Sequence, residues 1–164
     1  MYHLDQSVKR DPVRRWALPD RIFFGHGACH ILAGTYLLME PLSGFHAEKI
    51  TPAEGYWGNH VYVTDGTIAF DYHGYSTRNR LLRHIWNSWT AEYPGWSAQT
   101  APVDFDLLDT TSLNARKMLG PDQYLHDAVA RARSFIATRD HLRAAARARQ
   151  LARTGCQVLA LPEH

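Results

Sequence analysis

The chain has 164 residues, of which 45% are hydrophobic, and its formal net charge is +2. This length predicts a single domain, 1–164, with enough apolar side chains for a core, and the small net charge makes no case for a nucleic-acid partner. The start of the chain lacks a signal-peptide pattern, and no apolar run approaches the ~20 residues that span a membrane. The two cysteines are too few for a disulfide framework. We therefore expect a cytoplasmic protein without a membrane contact.

The first feature along the chain is a cysteine at the start of an apolar helix. Residues 1–20 are polar and favour an irregular arm or a short helix, after which an apolar run predicts a buried helix near 27–40, ended by Pro41. Cys29 lies in its first turn, where unpaired N–H groups and the helix dipole favour a thiolate. This position suits a nucleophile, although a disulfide between Cys29 and Cys156 is an alternative.

The next stretch, 42–58, is rich in glycine and proline and predicts a loop with one short strand around 46–50. Two aromatic residues, Tyr56 and Trp57, close this loop. They are candidates for the wall of a substrate groove, and the alternative is that they only pack against the core.

A hairpin is the strongest local signal in the chain. Asp65-Gly66 lies between two alternating apolar runs, which is typical of a two-residue turn in which both residues have positive φ. In that register Val63 faces Ile68 on one face of the sheet, while His60 faces Asp71 on the other. A carboxylate opposite His60 would accept a hydrogen bond from one imidazole nitrogen and leave the second nitrogen for chemistry.

Further elements follow the hairpin. Helical spacing predicts a helix near 77–89 with Ser76 as its N-cap, and its aromatic stripe is interpreted as core. Alternation over 103–107 predicts a third, edge-type strand, and Ser112 could cap a short helix at 113–119.

The C-terminal part of the chain is rich in alanine and arginine. Residues 121–154 predict one long helix, or two with a break near 138–140 where Thr138 could cap the second. The arginines favour an exposed charged face, and contact with a nucleic acid or an acidic partner is the alternative. The tail 156–161 could add a short strand. The chain thus divides into a core of about 21–110 and a helical segment of about 111–154.

The order of helix-borne Cys, strand His and Asp on the next strand resembles the papain-like superfamily of cysteine enzymes, and most closely its transglutaminase-like branch. The matching segments lie within residues 25–72 and are Gly27-Ala28-Cys29 with the small residue Ala33, His60-Val61-Tyr62-Val63, and Phe70-Asp71. The intervals from Cys29 to His60 and from His60 to Asp71 are shorter than is usual in that branch.

The resemblance implies an α+β fold with a papain-like, transglutaminase-like core, in which a buried N-terminal helix packs on a short antiparallel sheet and further C-terminal helices cover it. It also implies that Cys29 attacks an amide or ester carbonyl, His60 transfers protons, Asp71 orients His60, and a thioester forms without a cofactor or a metal. The substrate would be a peptide, a protein or a small amide or ester, and the enzyme a peptidase, amidase, deamidase or transglutaminase. The predicted substrate-binding residues are Tyr56, Trp57, Asn59 and His26, and the candidates for a second oxyanion donor beside the Cys29 N–H are His26, Asn59 and Gln6.

Three other interpretations remain open at this stage. His60 and Asp71 could be an ordinary half-buried pair, with Cys29 a small core residue. His26, Cys29 and His30 could bind zinc, although their spacing is not one of the established structural-zinc patterns. A catalytically silent module on the same fold could instead bind a protein or RNA through the aromatic loop and the basic helix.

Overall fold

The computed structural model describes residues 4–157, with side chains for all of these except Gln6 and residues 155–157. Three short helices open the described part of the chain and precede the longer helix that carries Cys29. The helices are α1 (Gln6–Arg10), α2 (Pro12–Trp16), α3 (Asp20–Gly25), α4 (Cys29–Met39), α5 (Arg78–Glu92), α6 (Thr110–Asn114), α7 (Ala128–Ala137) and α8 (His141–Gln157), with a 3-10 turn at Pro121–Gln123. The strands are β1 (His46–Pro52), β2 (His60–Thr64), β3 (Ile68–Asp71), β4 (Gly74–Thr77) and β5 (Ala98–Pro102).

The five strands form one antiparallel sheet in the order β4-β3-β2-β1-β5. Strands β1 to β4 are consecutive neighbours, and β5 returns to the free edge of β1. Helices α4 and α7 share a hydrophobic cluster with one face of the sheet, and α5 shares another with the opposite face. The α+β expectation is therefore confirmed at the level of a mixed fold with one antiparallel sheet.

Helix α4 is the buried helix that the apolar run predicts. Every residue from His30 to Tyr36 is buried, and Ile31, Leu32 and Tyr36 pack in one cluster with Val61, Val63 and Phe70 of the sheet. Each such side chain contributes about 1.5–3 kcal/mol when it is fully buried. The helix ends at Glu40, which adopts a left-handed φ of 45° and donates its N–H to the Tyr36 carbonyl. The sheet therefore fixes where the first residue of α4 lies.

Helix α5 covers the other face of the sheet. Its N-cap lies one residue after the predicted cap. Thr77, not Ser76, accepts the Arg80 N–H through its hydroxyl, at 3.1 Å. Leu81 and Ile85 pack against this face of the sheet. The aromatic stripe is core only in part, because Trp86 is 46% exposed and Trp89, which packs against the same cluster, also lines a cavity.

The hairpin register differs from the prediction by two residues. Val63 pairs with Phe70, and not with Ile68. The Asp65 carboxylate accepts the N–H groups of Thr67 and Ile68, at 2.9 and 2.8 Å, and so closes a wider loop than a two-residue turn. Gly66 has a φ of +91°, whereas Asp65 has no positive φ, so the predicted turn with two positive φ values is wrong.

The shift of two residues leaves the faces unchanged because side chains alternate with a period of two. His60 and Asp71 therefore still belong to the same face, although they are not directly opposed. The turn itself is held from outside the sheet, since Arg149 of α8 donates to the Asp65 carboxylate at 2.6 Å.

The predicted strand at 103–107 is wrong. Val103 and Leu107 do point inward while Asp104 and Asp106 are exposed, but the strand that pairs with β1 is β5, just before them. The apolar alternation over 103–107 therefore indicates which side chains are buried and not that this segment is a strand of the sheet. The next helix is α6, and its cap is Asp109, whose carboxylate accepts the Ser112 N–H at 2.7 Å.

The C-terminal segment forms two helices, as one of the two predicted arrangements requires. The second is capped by Asp140, which accepts the Arg143 N–H at 3.1 Å, and not by Thr138, whose hydroxyl donates back to the Phe135 carbonyl. Helix α8 runs to Gln157, so the predicted strand at 156–161 does not begin at its first two residues, and its remainder lies outside the described residues. No helix within residues 4–157 combines the length and apolar character needed to cross a membrane.

Arg131 of α7 holds the segment that leads into the cysteine loop. Its guanidinium donates to the Asp20 carboxylate at 2.7 Å and to the carbonyls of Trp16 and Leu18 at 2.7 and 2.6 Å. It also lies over the Phe23 ring, at 4.1 Å from the centroid. One side chain thus ties α2 and α3 to the helix that packs on α4.

We expect Arg131→Ala to lower the free energy of unfolding by about 2–4 kcal/mol, because three charge-assisted hydrogen bonds are lost together. Arg133→Ala is the matched control, since Arg133 is exposed on the same helix. Urea unfolding of both variants measures the difference, and equal midpoints would show that Arg131 is not an anchor.

Candidate active site

Cys29 is the first residue of α4, and its thiol is free and partly exposed. The helix has no side-chain cap, so no capping side chain occupies its first N–H groups. The loop before it is fixed from a distance, because the Tyr124 hydroxyl donates to the Gly27 carbonyl at 2.8 Å. The free thiol removes the alternative of a bridge to Cys156.

His60 and Asp71 form a buried pair, with exposed fractions of 6% and 4%. The distance from His60 Nε2 to Asp71 Oδ2 is 3.2 Å. Asp71 also accepts the backbone N–H of His73 at 2.8 Å, and the His73 ring lies 3.4 Å from the same carboxylate. Because Nε2 is used by Asp71, the imidazole nitrogen left for Cys29 is Nδ1.

The three groups shift one another's ionisation strongly. Burial opposes the Cys29 thiolate, but hydrogen bonds from His30 and His60 and their charge outweigh it and lower the pKa of Cys29 to about 5. Burial would also lower the pKa of His60, yet hydrogen bonds to Asp71 and Cys29 raise it to about 10. Despite its burial, hydrogen bonds from His60 and His73 hold the pKa of Asp71 well below its usual range. The lowered pKa of Cys29 and the raised pKa of His60 both favour a thiolate beside an imidazolium at neutral pH.

His30 is a second imidazole at the thiol, and the sequence pattern suggested for it only a metal role. It is buried, and its Nε2 lies 2.8 Å from the Leu119 carbonyl. A carbonyl only accepts, so the His30 Nε2 carries a proton and donates it to Leu119. No sequence signal links His30 to Leu119, which is 89 residues away.

A cleft of about 470 Å³ opens over Cys29 and His60. Three of the four residues predicted to bind substrate, Trp57, Asn59 and His26, line it, and Trp57 is 68% exposed. The structure does not bring Tyr56 there, since its ring packs near Tyr93, at 6.5 Å between centroids. The cleft is also lined by residues that were not predicted to bind substrate: Leu4, Lys9, Gly25, Gly27, His30, Gly58, Val61, Trp89, Tyr93, Lys117, Met118 and Leu119.

A second cavity of about 370 Å³ shares part of its lining with the cleft. Asn59, His60 and Trp89 are among the residues that line both cavities. Gly58 allows the close approach of Trp89, since it has a φ of +118° and a Cβ there would lie 2.7 Å from the Trp89 ring.

Within residues 4–157, no three His, Cys, Asp or Glu side chains are arranged as metal ligands. The zinc interpretation of His26, Cys29 and His30 therefore has no ligand set there.

Comparison of the chain with protein-family profiles, with curated proteins and with solved structures finds no match.

The pH dependence of alkylation tests the ion pair. We expect Cys29 to react with iodoacetamide with a midpoint near pH 5, because the thiolate forms as the pH rises through the pKa of Cys29. In His60→Ala the midpoint should move upward toward the ~8.5 of a free thiol. Mass spectrometry of the Cys29 peptide reads the rates. A midpoint that is the same in both proteins would contradict the pair.

The Asp71→Asn variant tests the opposite end of the pair. The pKa of His60 is raised to about 10 partly by Asp71, so loss of the carboxylate should lower it, and the ion pair should then break at a lower pH. NMR titration of the His60 ring measures this value, with His73→Ala as the control that removes only the weaker ring contact to Asp71. An unchanged His60 titration would show that Asp71 does not support the imidazolium.

Proposed function

We propose that this chain is a cysteine hydrolase or acyl transferase with a papain-like, transglutaminase-like core, acting on an amide or ester. The observation that carries this proposal is that His60, paired with Asp71 at 3.2 Å, lines the same cleft as Cys29, whose pKa is lowered to about 5 by the neighbouring imidazoles. The arrangement of a buried helix, its N-terminal thiol and two successive strands supports the same assignment.

In the first step the Cys29 Sγ forms a bond to the carbonyl carbon of the substrate. The electron pair of the carbonyl moves to oxygen and returns as the C–N or C–O bond breaks. The proton of the His60 imidazolium goes to the leaving nitrogen or oxygen. A thioester on Cys29 and a neutral His60 remain.

In the second step water or an amine attacks the thioester carbon. His60 accepts the proton of the attacking group, the C–S bond breaks, and the Cys29 thiolate and the imidazolium are restored. Asp71 keeps Nε2 occupied throughout, so Nδ1 serves both steps.

The oxyanion of each tetrahedral intermediate needs two donors. The Cys29 N–H at the start of α4 is the first. His26 and Asn59 both line the cleft and are the candidates for the second, while the Gln6 side chain lies outside the described part of the chain.

Acylation by p-nitrophenyl acetate tests the proposal directly. We expect the acetyl group to transfer to Cys29 with release of p-nitrophenolate, and His60→Ala to slow this step by about 100-fold or more at neutral pH, because proton transfer and the thiolate are both lost. Mass spectrometry locates the acetyl group. His46→Ala is the control, since His46 is exposed on β1 and lines neither cavity.

Acetylation that is equal in His60→Ala and wild type, or that is absent from Cys29, would contradict the enzyme. A binding module on the same fold predicts that outcome. Its surface would be α8, where Leu142 and Leu151 are 76% and 48% exposed among arginines.

A further inference from the structure

The cleft over Cys29 has a positive lining. The chain contains three lysines, Lys9, Lys49 and Lys117, and two of them line this cleft. In the part of the chain that the structure describes, no Asp or Glu lines the cleft or the second cavity, to which Arg21 contributes a further cation. Since Asp71 is buried and paired with His60, the thiol faces a field that favours negative charge.

Lys117 is held in place by its backbone. Its φ is +59°, a conformation that costs a non-glycine residue about 1 kcal/mol. Its N–H donates to the Asn114 carbonyl, and the next N–H, of Met118, donates to the Leu113 carbonyl, both at 3.0 Å. Strain of this kind persists where the surroundings impose it and is concentrated at binding sites.

The lysine segment is also tied to the nucleophile. Lys117, Met118 and Leu119 all line the cleft, and the Leu119 carbonyl takes the hydrogen bond from His30, the residue after Cys29. The segment therefore forms a fixed wall of the reaction cleft.

Neither cleft lysine is neutralised by another residue of the described range. Lys117 is exposed and Lys9 is partly exposed, and neither forms an ion pair with any of residues 4–157. The remainder of the lining offers exposed aromatic surface, above all Trp57. This combination fits an acyl donor that has both an anionic group and an apolar or planar part.

We infer that the substrate of the proposed acyl-transfer site is an acidic amide or ester, whose carboxylate is held by Lys117 and Lys9 while its carbonyl meets Cys29. This inference rests on the proposed function and adds its substrate class. Lys117 and Lys9 act as binding residues, and the aromatic wall holds the uncharged part of the substrate.

A matched pair of alkylating reagents tests the charge preference. Iodoacetate and iodoacetamide both form an S–C bond as iodide leaves, and they differ by one carboxylate. The ratio of their rates at Cys29 cancels the thiolate population, which is common to both reagents. We expect Lys117→Gln to lower this ratio about three- to fivefold, Lys117→Glu to lower it further, and added salt to lower it in the wild type.

Lys49→Gln is the control, because Lys49 is the third lysine and lies on β1 outside both cavities. The imidazolium of His60 contributes to the ratio equally in every variant, so the comparison isolates the lysines. A ratio that is the same in Lys117→Gln and Lys49→Gln would overturn the inference and leave the proposed function intact.

Quenching of tryptophan fluorescence gives a readout that needs no reactive thiol. Because the lysines concentrate anions in the cleft, iodide should quench the fluorescence of Trp57 more strongly in the wild type than in Lys117→Gln. Neutral acrylamide, which is the reference quencher, should show a smaller difference between the two proteins. If acetylation fails but this quenching difference is present, the proposed function is contradicted while the anion site stands. If the quenching difference is absent, the anion site is contradicted whatever the thiol does.

Discussion

The site depends on one buried carboxylate. Asp71 is 4% exposed and lies between two histidines, and an isolated charge in such a place would be very costly. Its charge is compensated by the His60 imidazole and the His73 N–H, and Asp71 in turn raises the pKa of His60. The imidazolium then stabilises the Cys29 thiolate. The end of β3, the turn that follows it and the start of α4 are thus linked electrostatically through His60.

Much of this arrangement could be predicted from local sequence. The apolar run predicts the buried helix α4 and places Cys29 at its start. The period of two along the hairpin places His60 and Asp71 on one face of the sheet. The register was wrong because the Asp65 side chain replaces the backbone of a tight turn with its own hydrogen bonds. The prediction of a common face survived because the error was an even number of residues.

Other parts could not be predicted because they depend on contacts between distant residues. His30 becomes part of the site only through the Leu119 carbonyl, and Lys117 only through the turn after α6. Trp89 belongs to a helical stripe that looks like core, yet its end of α5 extends beyond the sheet into the cleft. At 103–107, alternation gives the correct inward residues but says nothing of which strand edge is free.

Two long-range contacts near Cys29 set an order in time. Cys29, His60 and Asp71 are all made in the first half of the chain, whereas His30 and Gly27 meet their partners 89 and 97 residues later. A growing chain that has reached the hairpin contains the three reacting groups but neither the wall of the cleft nor the hydrogen bonds that orient the cysteine loop. The hydrogen bonds that hold His30 and the cysteine loop therefore form only late in synthesis, once residues 119 and 124 have been added.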